Sequence, residues 1–106
     1  MTFIETKDFR KSYNRLRKKY PNIAQDLNAL LVKIEDNPFE GEALGDNCYK
    51  VRMAISDKQK GKSGGARVII CVKIIEDTIH LLTIYDKSEI ENVSKEYLDE
   101  LRKSIE

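Results

Sequence analysis

Phe9, Tyr13, Leu16 and Tyr20 recur at intervals of four, three and four residues, with Arg10, Lys11, Arg15, Arg17 and Lys18 between them. Spacing near the helical period gathers the apolar set into one stripe, which predicts an amphipathic helix with a basic back. Pro21 cannot sit in a helix interior, so Tyr20-Pro21-Asn22 interrupts the run. Asn22 then stands where it can cap a second helix, whose stripe is Ile23, Leu27, Leu30, Leu31 and Ile34. Asn37-Pro38 stops that helix, and the stretch holding Gly41 and Gly45 reads as a loop.

From Cys48 the period drops to two. Tyr49, Val51, Met53 and Ile55 alternate with Cys48, Lys50, Arg52 and Ala54, as in a strand with one face on a core and one in solvent. Residues 56–65 form a loop ending in Ser63-Gly64-Gly65, where positive φ is free. Residues 66–75 read as the central strand, with Val68, Ile70, Val72 and Ile74 inward and Arg67, Ile69, Cys71 and Lys73 outward. Glu76-Asp77 turns the chain into a strand over 78–85, apolar on both faces and therefore interior to the sheet. Val93, Tyr97 and Leu101 mark a short last helix that Ser94 can cap. With a short first strand near Phe3–Glu5, the order is that of an α+β fold, with a helical hairpin packed on a small, mainly antiparallel sheet.

Composition narrows this further. A chain of 106 residues with 41% apolar and 35% charged side chains fits one domain over 1–106 and excludes a disordered chain. No apolar run approaches the roughly 18 residues that span a bilayer, and the charged N-terminus lacks a signal peptide's apolar stretch, so a cytoplasmic protein is expected. Cys48 and Cys71 are too few for a disulfide scaffold and lack zinc-site spacing; both read as reduced, partly buried thiols, with no metal expected. The net charge of +1 conceals segregation. Residues 1–20 hold seven bases against two acids, and 47–75 hold seven against Asp57 alone, while 21–46 and 76–106 are acidic. A polyanion would meet two basic stretches.

Three segments taken together, Cys48-Tyr49-Lys50-Val51-Arg52, Lys60-Gly61-Lys62-Ser63-Gly64-Gly65-Ala66-Arg67-Val68-Ile69 and Leu81-Leu82-Thr83-Ile84-Tyr85-Asp86-Lys87-Ser88-Glu89, resemble the RelE/ParE superfamily of bacterial toxins, within it the HigB-like branch. The resemblance covers the whole order of elements. It implies a RelE-like fold and a toxin that enters the ribosomal A site and cuts mRNA without a cofactor. It also implies a cognate antitoxin, HigA-like with a helix-turn-helix DNA-binding domain, through which alone the toxin would meet operator DNA. The family's active residues are Lys and Arg on the middle strands plus a basic or Tyr residue near the end of the sheet. Lys50, Arg52, Arg67 and Lys87 fit those places and Tyr85 is the nearest aromatic. Ser88 stands where such toxins often have Arg, and Ser94 where a stacking Tyr is often found.

RNA is cut without metal when its 2′-OH attacks the adjacent phosphate, which needs a base, an acid and positive charge for the phosphorane. Lys50, Arg52 and Arg67 share one parity on adjacent strands, so their heads can converge on a phosphate, and Arg67 can grip two oxygens. Crowding by like charges would make Lys50 a usable base. Lys58, Lys60, Lys62 and Lys73, with Arg10, Arg15 and Arg17 of the first helix, are the expected RNA and ribosome contacts. Each has a plainer reading as a solvated side chain, and Tyr85 can either stack on a base from the open face or pack against the last helix. His80, mid-strand with parity opposite to Tyr85, is a poor base. Two other functions fit the same fold: a ParE-like inhibitor of DNA gyrase, and an inactive toxin that only binds its antitoxin.

Overall fold

The structure, a computed structural model, describes residues 1–59, 61 and 64–105. Strands β1 (Thr2–Glu5), β2 (Glu42–Gly45), β3 (Cys48–Met53), β4 (Ala66–Lys73) and β5 (Thr78–Asp86) form one sheet in the order β1-β5-β4-β3-β2. Among the described residues, the β1–β5 pair is parallel and the other three pairs are antiparallel. Helices α1 (Lys7–Lys19) and α2 (Ile23–Asp36) cover one face, and α3 (Lys95–Lys103) lies on the other. Among the described residues, no helix is long and apolar enough to cross a membrane.

The expected α+β architecture holds, with β4 central and β5 interior. β2 is an addition: Glu42-Ala43-Leu44-Gly45 is too short and too poor in β-formers to announce a strand, and pairing with β3 supplies what propensity lacks. β4 stops at Lys73 rather than Ile75. Ile74 and Ile75 enter the turn closed by Asp77 at φ +55° and are exposed, so Ile74 does not point inward.

Side-chain caps form at two of the three helix starts. Thr6 accepts from the Phe9 N–H at 3.1 Å and donates to the Leu81 and Leu82 carbonyls, tying α1 to β5. Ser94 accepts from the Tyr97 N–H at 3.1 Å, as expected. Asn22, expected to cap α2, makes no capping bond; its backbone and side-chain amides donate to Asp57 at 3.0 and 2.8 Å, while Asp26 accepts from Ser56. The α2 start is thus pinned to the 3₁₀ turn Ser56–Lys58.

Two cores result. Phe9, Leu16, Ile23, Leu30, Val68, Ile70, Leu81 and Ile84 fill the layer beneath α1 and α2. Cys48, Ile69, Cys71, Leu82 and Tyr85 pack beneath Leu98 and Leu101 of α3. The face expected to be open is therefore half covered, and Ile69 and Cys71, expected to point outward, are buried. A bulge between Ile69 and Ile70 leaves Leu82 as the extra residue on β5, because Ile69 pairs with Thr83 and Ile70 with Leu81. It reverses the alternation downstream, so His80 and Tyr85 share the α3 face instead of opposing each other.

Candidate active site

Regular pairing of β3 with β4 sets Arg52 opposite Arg67, and Arg67 lies opposite Tyr85 on β5. The three make a row across adjacent strands, spaced about 4.8 Å apart. Lys50 is one pleat away on the same face. β2 ends its pairing at Lys50, and beside the β3 edge beyond it opens a cavity of about 600 Å³. Lys50, Arg52, Arg67 and Lys87 line it together with Lys33, Glu40, Glu42, Glu91 and Asn92. Gly41 closes one wall so tightly that a Cβ would stand 2.7 Å from the Lys50 carbonyl oxygen, so a side chain there would push β3 aside.

The structure thus gathers four of the five expected catalytic residues at one cavity. Their states differ from expectation. Arg67 is 4% exposed rather than on an open face, and its guanidinium donates to the Ala66 carbonyl at 3.0 Å. Burial first, then the neighbouring Arg52, lowers its pKa, with Tyr85 opposing. It remains charged, since a guanidinium does not give up its proton in a protein. Arg52 is exposed. Lys50 has polar and acidic partners as well as the cations: its ammonium donates to Asn92 at 2.9 Å and lies 3.3 Å from the Glu42 carboxylate.

Tyr85, 2% exposed, packs under α3 and does not present its ring to solvent. Burial raises its pKa, Arg67 lowers it and Glu42 raises it, so its hydroxyl sits within the field of the cationic row. That hydroxyl is buried and, among the described residues, has no hydrogen-bond partner. His80 pairs with Cys71, four residues along β4 from Arg67, roughly 13 Å away; burial, then Lys73, lowers its pKa.

Lys58 is not a solvated contact. Its ammonium meets Asp86, which is fully buried, at 2.8 Å and Ser88 at 3.2 Å. Tyr20 donates to the other Asp86 oxygen, and the Ser88 N–H and hydroxyl complete the set. Burial alone would raise the Asp86 carboxyl; Lys58, Tyr20 and Ser88 outweigh it and hold it well below the usual range. Ser88, standing where the resemblance leads one to expect an arginine, serves this anchor. Lys60 and Lys62 lie outside the described residues. Lys73 sits at the far end of β4, six residues or about 20 Å from Arg67. Arg10 and Arg17 are exposed on the α1 back, whereas Arg15 pairs with Glu89 at 2.9 Å beside Lys19 at 3.0 Å.

Sequence reasoning misses Glu42, Glu91 and Asn92, which sit in segments without periodicity. It also misses the Asp86 anchor, whose only local mark is an Asp two residues before a Ser that can bond back to it.

A small α+β protein with an arginine-rich row in a cleft at a sheet edge is the class that fold and site define. The model of the RelE toxin of the RelE/RelB toxin-antitoxin system matches residues 6–105, and the chain belongs to that toxin family. Membership implies an antitoxin partner. Among solved structures, a double arginine-to-alanine variant of E. coli RelE in the free state is similar at TM-score 0.59 and 16% identity, covering 85% of this chain and 86% of that one. The isolated E. coli RelE toxin in a P21 crystal form is similar at TM-score 0.55 and 15% identity, covering 96% of each chain. At such identities the likeness is one of fold. No curated protein sequence matches the chain.

Proposed function

We propose that this chain is a ribosome-dependent mRNA endoribonuclease of the HigB-like branch. It acts in the cytoplasm as one domain over 1–106, restrained by a HigA-like antitoxin that carries the operator-DNA contacts. The observation that carries the reading is that Arg52 and Arg67, opposite each other on β3 and β4, share with Lys50 and Lys87 a cavity wide enough for a nucleotide. Arg67, fixed by burial, grips the scissile phosphate in two places, and Arg52 and Lys87 add charge as the phosphorane forms. The 2′-OH proton needs an acceptor, and Glu42, against Lys50, supplies a carboxylate that cations alone do not. The departing 5′-oxygen needs a donor, for which the Lys50 ammonium at the cavity wall is the group at hand. These three roles are filled by side chains, so the mechanism calls for no metal.

The test is induction of the toxin without its antitoxin, with new mRNA 5′ ends mapped across the transcriptome. Cuts at fixed positions within translated codons are expected. Intact mRNA with inhibited DNA supercoiling would replace the reading with gyrase inhibition, and unimpaired growth would replace it with an inactive antitoxin-binding relic.

A further inference from the structure

Cys48 on β3 and Cys71 on β4 face each other directly, both free and both buried, at 1% and 4% exposure. The Val72 N–H donates to the Asn47 carbonyl at 2.9 Å, which marks them as a pair without ladder hydrogen bonds between themselves. Such pairs bring Cα atoms to about 4.5 Å, within the roughly 4.4–6.8 Å that a disulfide spans. Both thiols also converge on one acceptor, the Asp46 carbonyl, at 3.8 and 3.6 Å. Arg102 of α3 reaches across the pair to the Leu44 and Gly45 carbonyls at 2.7 and 3.2 Å.

We propose that Cys48 and Cys71 are a redox-active dithiol that closes to a disulfide by exchange with a small-molecule disulfide, with α3 as the lid over it. The proposed nuclease chemistry uses neither thiol. The Cys71 thiol, and beyond it the Arg102 guanidinium, stabilise the Cys48 thiolate against burial, while the Cys71 thiol is pushed up by Cys48 and by burial. Cys48, the thiol that the Arg102 guanidinium of α3 meets, is the attacking sulfur. Its thiolate displaces one thiolate from the small disulfide and forms a mixed disulfide. Cys71 then releases its proton to solvent and attacks the Cys48 sulfur, and the second small thiolate leaves. The protein pair loses two electrons and two protons, and the small disulfide becomes two thiols. Leu98 and Leu101 of α3 seal the pair from solvent, so the first step requires that α3 lift.

The experiment incubates the folded full chain with oxidised glutathione and maps the products by mass spectrometry, which needs no variant. A chain lighter by two hydrogens, with Cys48 and Cys71 peptides joined, is expected. The Cys71→Ser variant should stop at a single glutathione on Cys48, and Leu98→Ala, which loosens the lid, should speed the wild-type reaction several-fold. Two free thiols in the folded chain, under conditions that link the urea-unfolded chain, would overturn the proposal. So would linkage between chains in place of linkage within one, or addition to Cys71 in Cys48→Ser as fast as to Cys48 in Cys71→Ser.

Discussion

A guanidinium 4% exposed beside a second arginine is an expensive object, because burial and like charge both oppose it. Such an arrangement is more informative about function than the surface lysines that dominate the composition. Arg67→Met separates function from fold: the apolar side chain keeps most of the buried volume and removes the charge. Cleavage in a reconstituted translation reaction should fall by about 10² to 10³, the effect of losing one preorganised donor to a developing oxyanion. The melting temperature should move little. A variant that cleaves at the wild-type rate would remove Arg67 from the chemistry. The convergence of Lys50, Arg52 and Arg67 is legible in the sequence because β3 and β4 pair without a bulge, so parity counted from either strand stays true. Tyr85 is a different case. Counting by twos puts it with Leu81, and only the extra Leu82 turns it to the Arg67 side, where α3 buries it.

The elements around the site are held by a polar anchor no periodicity could reveal. Lys58 and Asp86 are 28 residues apart, and a lysine among lysines in a glycine-rich loop reads as solvated until the fold brings a buried carboxylate to it. Coverage by α3 leaves a clearer trace, for Ile69 and Cys71 are apolar on a face otherwise expected to be wet, and a solvated strand face does not need them. β2 leaves none, since four residues cannot establish a period. The anchor joins the end of α1, the 3₁₀ turn and the last residue of β5, directly before Lys87 at the cavity. Lys58→Met leaves the Asp86 carboxylate buried without its cation and should cost about 3–5 kcal/mol by urea unfolding at neutral pH. The pH dependence has a definite sign. Asp86 is held below its ordinary value of 3.8 in the folded chain, so its contribution is fully present above that value and is lost as pH falls below it. Wild-type stability should therefore drop on acidification through about pH 4, and Asp86→Asn should remove that part of the slope. An Asp86→Asn curve parallel to wild type would show that other carboxylates set the acid limb.

Across the whole molecule, charge is arranged so that two cationic regions lie toward opposite edges of the sheet. α1 packs over β5, on the β1 side, and presents Arg10, Arg17 and Lys18 to solvent, while the cavity opens at the β3 edge near β2. A substrate held at the cavity alone would not need the α1 back, and the fold does not need it either, because Phe9 and Leu16 supply the buried packing. A large polyanion would engage both. Not all α1 cations are equally available, since Arg15 and Lys19 share Glu89. Replacing Arg10, Arg17 and Lys18 together by Gln should weaken association with ribosomes and flatten its dependence on log salt. The slope should change by about 0.7 for each phosphate of single-stranded RNA that the helix no longer neutralises. Arg15→Gln alone should change it less, because that arginine is already committed to Glu89 and is not free to neutralise a phosphate. Cleavage of mRNA once bound should proceed at the wild-type rate in the triple variant, measured with ribosomes in excess. If the triple variant and wild type share one salt slope, the α1 cations contribute to solubility and the cavity alone meets RNA.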